Sequence, residues 1–95
     1  MRVELNEERW QHITNTHPEL SGDVIDFIGL VLHDPDSIRV DRRFAGTRIF
    51  TRWFDRLLGG KQLAVVVVSD AERSWIVTTY VTRRVRQGEV EWQRN

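Results

Sequence analysis

The run Leu63-Ala64-Val65-Val66-Val67-Val68 decides the fold of this chain of 95 residues. All six residues are apolar and four of them are valine, a pattern typical of a strand that is buried on both faces. The run is far shorter than the roughly 20 apolar residues that a membrane-spanning helix needs. We therefore expect a central β-strand that is covered on both sides.

Alternating and β-branched segments around this run predict further strands. Two turn signals, Ala45-Gly46 and Gly59-Gly60, separate those segments. A short polar loop, Asp70 to Arg73, follows the valine run and predicts a hairpin. The predicted strands are Arg2 to Leu5, a segment containing Ile38 and Val40, Thr47–Phe54, Ser74–Thr82 and a last short piece from Val90 to Trp92.

Two helices are predicted between the first strand and the others. Asn6 is a suitable N-cap for the first helix, Glu7–Thr16, and Pro18 disfavours its continuation. The second helix carries a continuous apolar stripe and ends near His33. Because helices and strands are segregated along the chain, we expect an α+β domain. Its two N-terminal helices should pack on one face of a four- to five-stranded antiparallel sheet.

Length and composition limit the possible classes of protein. A chain of 95 residues and 11.2 kDa forms one domain, residues 1–95. The absence of cysteine excludes disulfides, thiolate metal sites and cysteine nucleophiles. No phosphate-binding loop, dinucleotide motif or nucleophile elbow occurs, so no cofactor is expected. The first residues do not form a signal peptide, so the expected location is cytoplasmic, without membrane contact.

The formal net charge is zero, but it is unevenly distributed along the chain. Through Val40 there are eight acids against three arginines, and from Asp41 onward there are six acids against ten arginines and one lysine. Such asymmetry indicates either polyanion binding or mutual neutralisation of the two halves in the fold. The excess of arginine favours phosphate recognition, because the planar guanidinium matches phosphate geometry.

Two strands carry candidate binding residues. Arg48 and Arg52 share a strand face with Phe50 between them. Such a row can contact phosphates and stack a base, although the same positions can also be ordinary solvated side chains. Thr78 and Tyr80 share one face of the long final strand, where threonine is also a common strand former.

The histidines do not predict a metal site. At 100° per residue, His12 and His17 lie roughly 140° apart on the first helix, which is not the arrangement of an i, i+4 ligand pair. His17 follows the end of this helix, where the dipole favours a protonated imidazole. It can equally be a capping residue packed on the core. His33 is most simply a solvated residue at the end of the second helix.

Several short motifs together resemble a known family. They are Trp10-x-His12-Ile13, His17-Pro18-Glu19-Leu20, Pro35-Asp36-x-Ile38, the valine strand and Ile76-Val77-Thr78-Thr79-Tyr80. In order and spacing this set resembles the phage-type PBECR nuclease-like domains of the barnase, EndoU, colicin and RelE (BECR) superfamily. The resemblance extends from Trp10 to about Trp92, and the fold that it implies agrees with the one predicted above.

The resemblance implies a metal-independent endoribonuclease of toxin type, in which the ribose 2′-hydroxyl attacks the adjacent phosphorus. Its implied partners are RNA and an antitoxin or immunity protein. The implied catalytic residues are His12, His17, Thr78 and Tyr80. Sheet geometry adds Arg48 and Arg52 as phosphate ligands, with Arg83 and Arg84 as further candidates.

One departure from the family pattern supports an alternative function. The family often carries a basic residue directly before His-Pro-Glu, where this chain has Thr16. The alternative is a catalytically inactive module of the same fold that binds RNA or a partner protein.

Overall fold

The computed structural model describes residues 3–16, 24–55 and 59–94. Both helices have 10 residues, and no helix in this part of the chain is long and apolar enough to cross a membrane. The elements in chain order are β1 (Val3–Glu4), α1 (Glu7–Thr16), α2 (Val24–His33), β2 (Ser37–Val40), β3 (Thr47–Phe54), β4 (Lys61–Ser69), β5 (Ser74–Thr82) and β6 (Glu89–Gln93).

The described strands form one sheet in the order β1-β5-β4-β3-β2-β6. The prediction of an α+β fold with two helices before the main strands is confirmed. The predicted number of four to five strands is wrong, because the described sheet has six. The prediction that all of them are antiparallel is also wrong, because β1 pairs with β5 in parallel. Both discrepancies involve the edges of the sheet, where β1 has two residues and β6 has five. Both were predicted as strands, but such short segments carry too little hydrophobic pattern to predict how they pair.

The main core lies between the helices and one face of the sheet. Ile13 of α1 and Ile28 and Val31 of α2 are buried against apolar residues of the three central strands. Helix α1 contacts β5, whereas α2 contacts β4 and β3. The buried strand residues on this side, here called the helix face, are Phe50, Leu63, Val65, Val67 and Ile76.

The opposite face of the sheet, here called the open face, carries a smaller core. Ile49, Ala64 and Val66 are buried there, and Val85 packs against them. Val85 belongs to the connection from β5 to β6, residues 83–88, which we call the strap. This connection leads from β5, near one edge of the sheet, to β6 at the other edge. The prediction that the valine strand is covered on both sides is therefore confirmed: helices cover one face and the strap contributes to the cover of the other.

Candidate nucleic-acid interface on the open face

The open face holds a cavity of about 750 Å³, here called the open-face cavity. It lies where the strap and the loop between β2 and β3, residues 41–46, meet β3, β4 and β5. Valine side chains supply much of its apolar lining, while hydroxyl, amide and carboxylate groups supply the polar part. The lining residues are Asp41, Phe44, Thr47, Val66, Val68, Val77, Thr78, Tyr80, Val81, Thr82 and Gln87.

A bulge in β5 brings Thr78 into this cavity. Val66 of β4 pairs with Thr78, but the next residue, Val67, pairs with Ile76, so Val77 is an extra residue on β5. Ile76 and Thr78 would share a face in a regular strand. With the bulge, Ile76 packs in the helix-face core while Thr78 lines the cavity on the other side. The bulge thus sets the orientation of one predicted site residue.

Tyr80 lies one alternation further along β5 and also lines the cavity. Burial raises the pKa of its hydroxyl, and the charge of Asp41 acts in the same direction, while Arg39 opposes them. The phenol therefore keeps its proton at neutral pH and can donate it in a hydrogen bond. The intervening Thr79 is fully buried on the helix face and donates its hydroxyl to the Ala64 carbonyl at 2.8 Å.

Asp41 is a buried carboxylate at the wall of the cavity. It accepts hydrogen bonds from the guanidinium of Arg43, at 3.0 and 3.1 Å, and from the side-chain amide of Gln87 at 2.7 Å. These bonds hold the pKa of Asp41 well below its usual range, with Arg43 as the largest cause and Gln87 next. Asp41 is therefore ionised at neutral pH and fully engaged by the protein itself.

The strap is fixed to the sheet by hydrogen bonds and packing. Arg39 of β2 donates from its guanidinium to the carbonyls of Gln87 and Gly88, at 2.6 and 2.9 Å. Gly88 has a φ of 76°, and a Cβ at that position would lie 2.7 Å from the Val40 carbonyl oxygen. Only glycine therefore allows this approach to β2 without strain.

The strap presents three exposed arginines, Arg83, Arg84 and Arg86. None of them forms an ion pair with any residue that the structure describes. They lie in the chain between Thr82 and Gln87, which both line the cavity. The strap therefore carries positive charge without an ion pair to the described residues, on a segment that adjoins lining residues of the cavity at both ends.

Other arginines of the strand-bearing half are neutralised locally. Arg52 and Arg94 pair with Asp34, and Arg73 pairs with Glu4. These pairs join the acidic and basic halves of the chain, as the neutralisation hypothesis predicts. Three more pairs lie within the basic half, namely Arg42–Glu89, Arg43–Asp41 and Arg48–Glu91.

In the predicted row of Arg48, Phe50 and Arg52, the central aromatic residue is not exposed. Phe50 is only 6% exposed because it packs in the core beneath the helices, so its use as a base-stacking platform is wrong. Arg48 binds both carboxylate oxygens of Glu91, and Arg52 binds the carbonyl and carboxylate of Asp34. Both arginines belong to the helix-face side of β3, away from Thr78 and Tyr80.

The histidines of the described chain do not join this cavity. His12 is exposed on α1, which packs on the opposite face of the sheet, and it lies beside Asn6, Glu8 and Arg9. His33 is exposed at the end of α2. His17 lies outside the described residues. Within the described ranges, no group of three or more His, Asp or Glu side chains could hold a metal ion.

The structure therefore brings together one part of the predicted site. Thr78 and Tyr80 line the cavity, and Arg83 and Arg84 directly follow Thr82, another lining residue, whereas His12, Arg48 and Arg52 lie elsewhere. Sequence reasoning missed Asp41, Phe44 and Gln87. The available signal for Phe44 was an aromatic residue within a polar, glycine-containing turn, directly after two arginines.

Comparisons with models of protein families, with curated proteins and with solved structures find no match to this chain. Any function must therefore be argued from the site itself.

Proposed function

We propose that this protein binds RNA in the open-face cavity and cleaves it without a metal ion, by attack of a ribose 2′-hydroxyl on the adjacent phosphorus. The observation that carries the proposal is the set of polar and charged residues found together at the C-terminal end of β5. Thr78 and Tyr80, which carry hydroxyl groups, line the cavity, and the strap that follows β5 carries three exposed arginines without ion pairs to the described residues. Hydroxyl donors and guanidinium groups are the side chains that contact sugars and phosphates.

Charge supports RNA rather than a neutral ligand. The chain has a net charge of zero, yet its ion pairs leave Arg83, Arg84 and Arg86 exposed on one segment. Guanidinium groups bind phosphate in a bidentate manner, and clustered arginines attract a polyanion by releasing its counterions. The strap arginines would therefore bind the phosphates of an RNA backbone whose sugars or bases enter the cavity.

The cleavage step requires two proton transfers. The 2′-oxygen loses a proton as it bonds to phosphorus, and the 5′-oxygen gains one as the P–O5′ bond breaks, which leaves a 2′,3′-cyclic phosphate and a 5′-hydroxyl. Tyr80 keeps its proton at neutral pH and can donate to a phosphate or leaving oxygen. The strap arginines would stabilise the charge of the phosphorane. The resemblance assigns acid–base character to His17.

A second candidate function is RNA binding without cleavage. The position of His12 favours it, because the sheet separates this histidine from Thr78 and Tyr80. The engagement of Asp41 by Arg43 and Gln87 also favours it, since a carboxylate bound in this way is a poor base.

The deciding experiment uses the full chain and an end-labelled single-stranded RNA in the presence of EDTA. We expect binding that weakens as salt rises, and products that end in a 2′,3′-cyclic phosphate. His17→Ala and Tyr80→Phe should each slow cleavage at least about tenfold, since general acid–base groups contribute about 10²–10⁴-fold. His33→Ala is the matched control and should cleave as the wild type does.

Each other outcome has a definite meaning. If the wild type binds RNA and yields no product, the binding function stands and cleavage is excluded. If it binds no RNA even at low salt, both functions are overturned.

A further inference from the structure

Phe44 is an exposed aromatic residue at the edge of the open-face cavity. Its side chain is 59% exposed, although it also contributes to the cavity lining. The guanidinium carbon of Arg43 lies over its ring, 5.4 Å from the ring centroid. A phenyl ring left in water at the rim of a cavity is available for contact with a ligand.

The position of Phe44 is fixed by the loop that carries it. The Phe44 amide donates to the Asp41 carbonyl, and the Phe44 carbonyl accepts from Thr47, both at 3.2 Å. Asp41 binds the guanidinium of Arg43 and thereby holds the group that covers the ring. Because the loop is already ordered, stacking of a ligand on this ring costs little conformational entropy, which favours affinity.

Other exposed aromatic residues stand in different surroundings. Trp53 donates its indole N–H to Asp55, and Trp92 lies beside α2, in a groove with Leu32 and Phe50. Neither lines the open-face cavity. Among the described large hydrophobic residues that are exposed, Phe44 alone combines exposure with a place in that cavity.

We propose that Phe44 is the stacking platform for an unpaired base of single-stranded RNA, with the flanking phosphates bound by the strap arginines. This inference rests on the RNA binding proposed above and adds the form of the substrate. The bases of a duplex are stacked on one another and their faces are not accessible. The bases of a single strand can turn out onto an aromatic side chain. The valines that line the same cavity as Phe44 suit such a base, and the three exposed arginines of the strap, between the lining residues Thr82 and Gln87, suit its backbone.

The test measures the affinity of the full chain for a fluorescent single-stranded RNA and for a duplex of the same sequence. We expect Phe44→Ala to weaken single-strand binding about 5- to 100-fold, which corresponds to the loss of one stacked base. Phe44→Trp should retain the affinity, because a larger ring can still stack. Trp92→Ala is the matched control, since it removes another exposed aromatic residue that does not line the cavity, and it should bind as the wild type does.

A second measurement identifies the contact as stacking. Abasic substitutions are placed one at a time along the RNA. At one abasic position, the affinity of the wild type should fall about as much as the Phe44→Ala substitution lowers it on the intact strand. For Phe44→Ala itself, the abasic substitution at that position should cause little further loss of affinity. Losses that simply add at every position would overturn the inference.

The two proposals fail in different ways. If the wild type and Phe44→Ala bind single-stranded RNA with equal affinity, the stacking role of Phe44 is overturned and RNA binding stands. A wild type that prefers the duplex also overturns it. A wild type that binds no RNA overturns the proposed function first.

Discussion

The side-chain amide of Gln87 donates to the carboxylate of Asp41 at 2.7 Å, across 46 positions of the chain. This bond joins the strap to the loop between β2 and β3, which are two walls of the open-face cavity. Because Asp41 also binds Arg43, one buried carboxylate positions both the strap and the guanidinium that lies over Phe44. The shape of the cavity therefore depends on Asp41 being charged.

Asp41→Asn tests this dependence through the effect of pH on stability. Since the pKa of Asp41 is lowered in the fold, the unfolded chain takes up this proton at a higher pH than the folded chain does. The stabilisation is complete above the unfolded pKa of about 3.9 and is lost as pH falls below it. We expect Asp41→Asn to have a lower urea midpoint than the wild type at pH 7. Its midpoint should also fall less than that of the wild type between about pH 5 and pH 2.

The acid dependence of Asp41→Asn should be reduced and not abolished, because the pKa values of Asp34, Asp70 and Glu91 are also lowered in the fold. Asp26→Asn, on the exposed side of α2, is the control and should follow the wild type. An Asp41→Asn profile parallel to that of the wild type would contradict the assigned role.

Substitution by alanine should change the free energy of unfolding in opposite directions at Gly46 and at Gly29. Gly46 has a φ of 75°, and a Cβ there would overlap the Ser69 carbonyl oxygen. We expect Gly46→Ala to lower the free energy of unfolding by about 2 kcal/mol or more. At Gly29, within α2, a Cβ meets nothing within 4 Å. Gly29→Ala should raise the free energy of unfolding by about 0.5–1 kcal/mol, because alanine is the better helix former. Urea denaturation measures both, and equal effects would contradict the prediction.

Hydrophobic periodicity predicted the elements well because each is governed by local residues. Helix α1 and strands β3 and β5 have the predicted ends. The same periodicity does not show which face of β3 the helices cover, since Ile49 and Phe50 are both apolar and both buried. Phe50 lies on the helix face, and that single choice buries the aromatic residue that lies between Arg48 and Arg52 on the strand.

The candidate site was harder to predict because it depends on contacts between distant segments. The sequence showed that Thr78 and Tyr80 share a face of β5, but the bulge at Val77 decides that this face is opposite to that of Ile76 and lines the cavity. The pairing of Asp41 with Gln87 exists only after the strap has crossed to β6. No local pattern encodes such a contact.

Phe50 and Phe44 should respond differently when each is replaced by alanine. Phe50→Ala removes a buried ring from the helix-face core and should lower the free energy of unfolding by about 3–5 kcal/mol. Phe44→Ala removes an exposed ring and should change it by no more than about 0.5 kcal/mol. Denaturation in urea, followed by circular dichroism, compares the two. A stable Phe50→Ala variant would contradict the assignment of Phe50 to the core.

The strap arginines should determine how RNA affinity depends on salt. For single strands, the logarithm of the binding constant falls with the logarithm of salt concentration by about 0.7 per neutralised phosphate. Replacing Arg83, Arg84 and Arg86 with alanine should therefore reduce this slope by about 2. The control replaces Arg42, Arg48 and Arg52, which changes the net charge equally but removes arginines already paired with acids. Because those guanidinium groups are engaged with carboxylates, the control should leave most of the slope in place. Equal reductions in both variants would show that total charge, and not the strap, attracts the RNA.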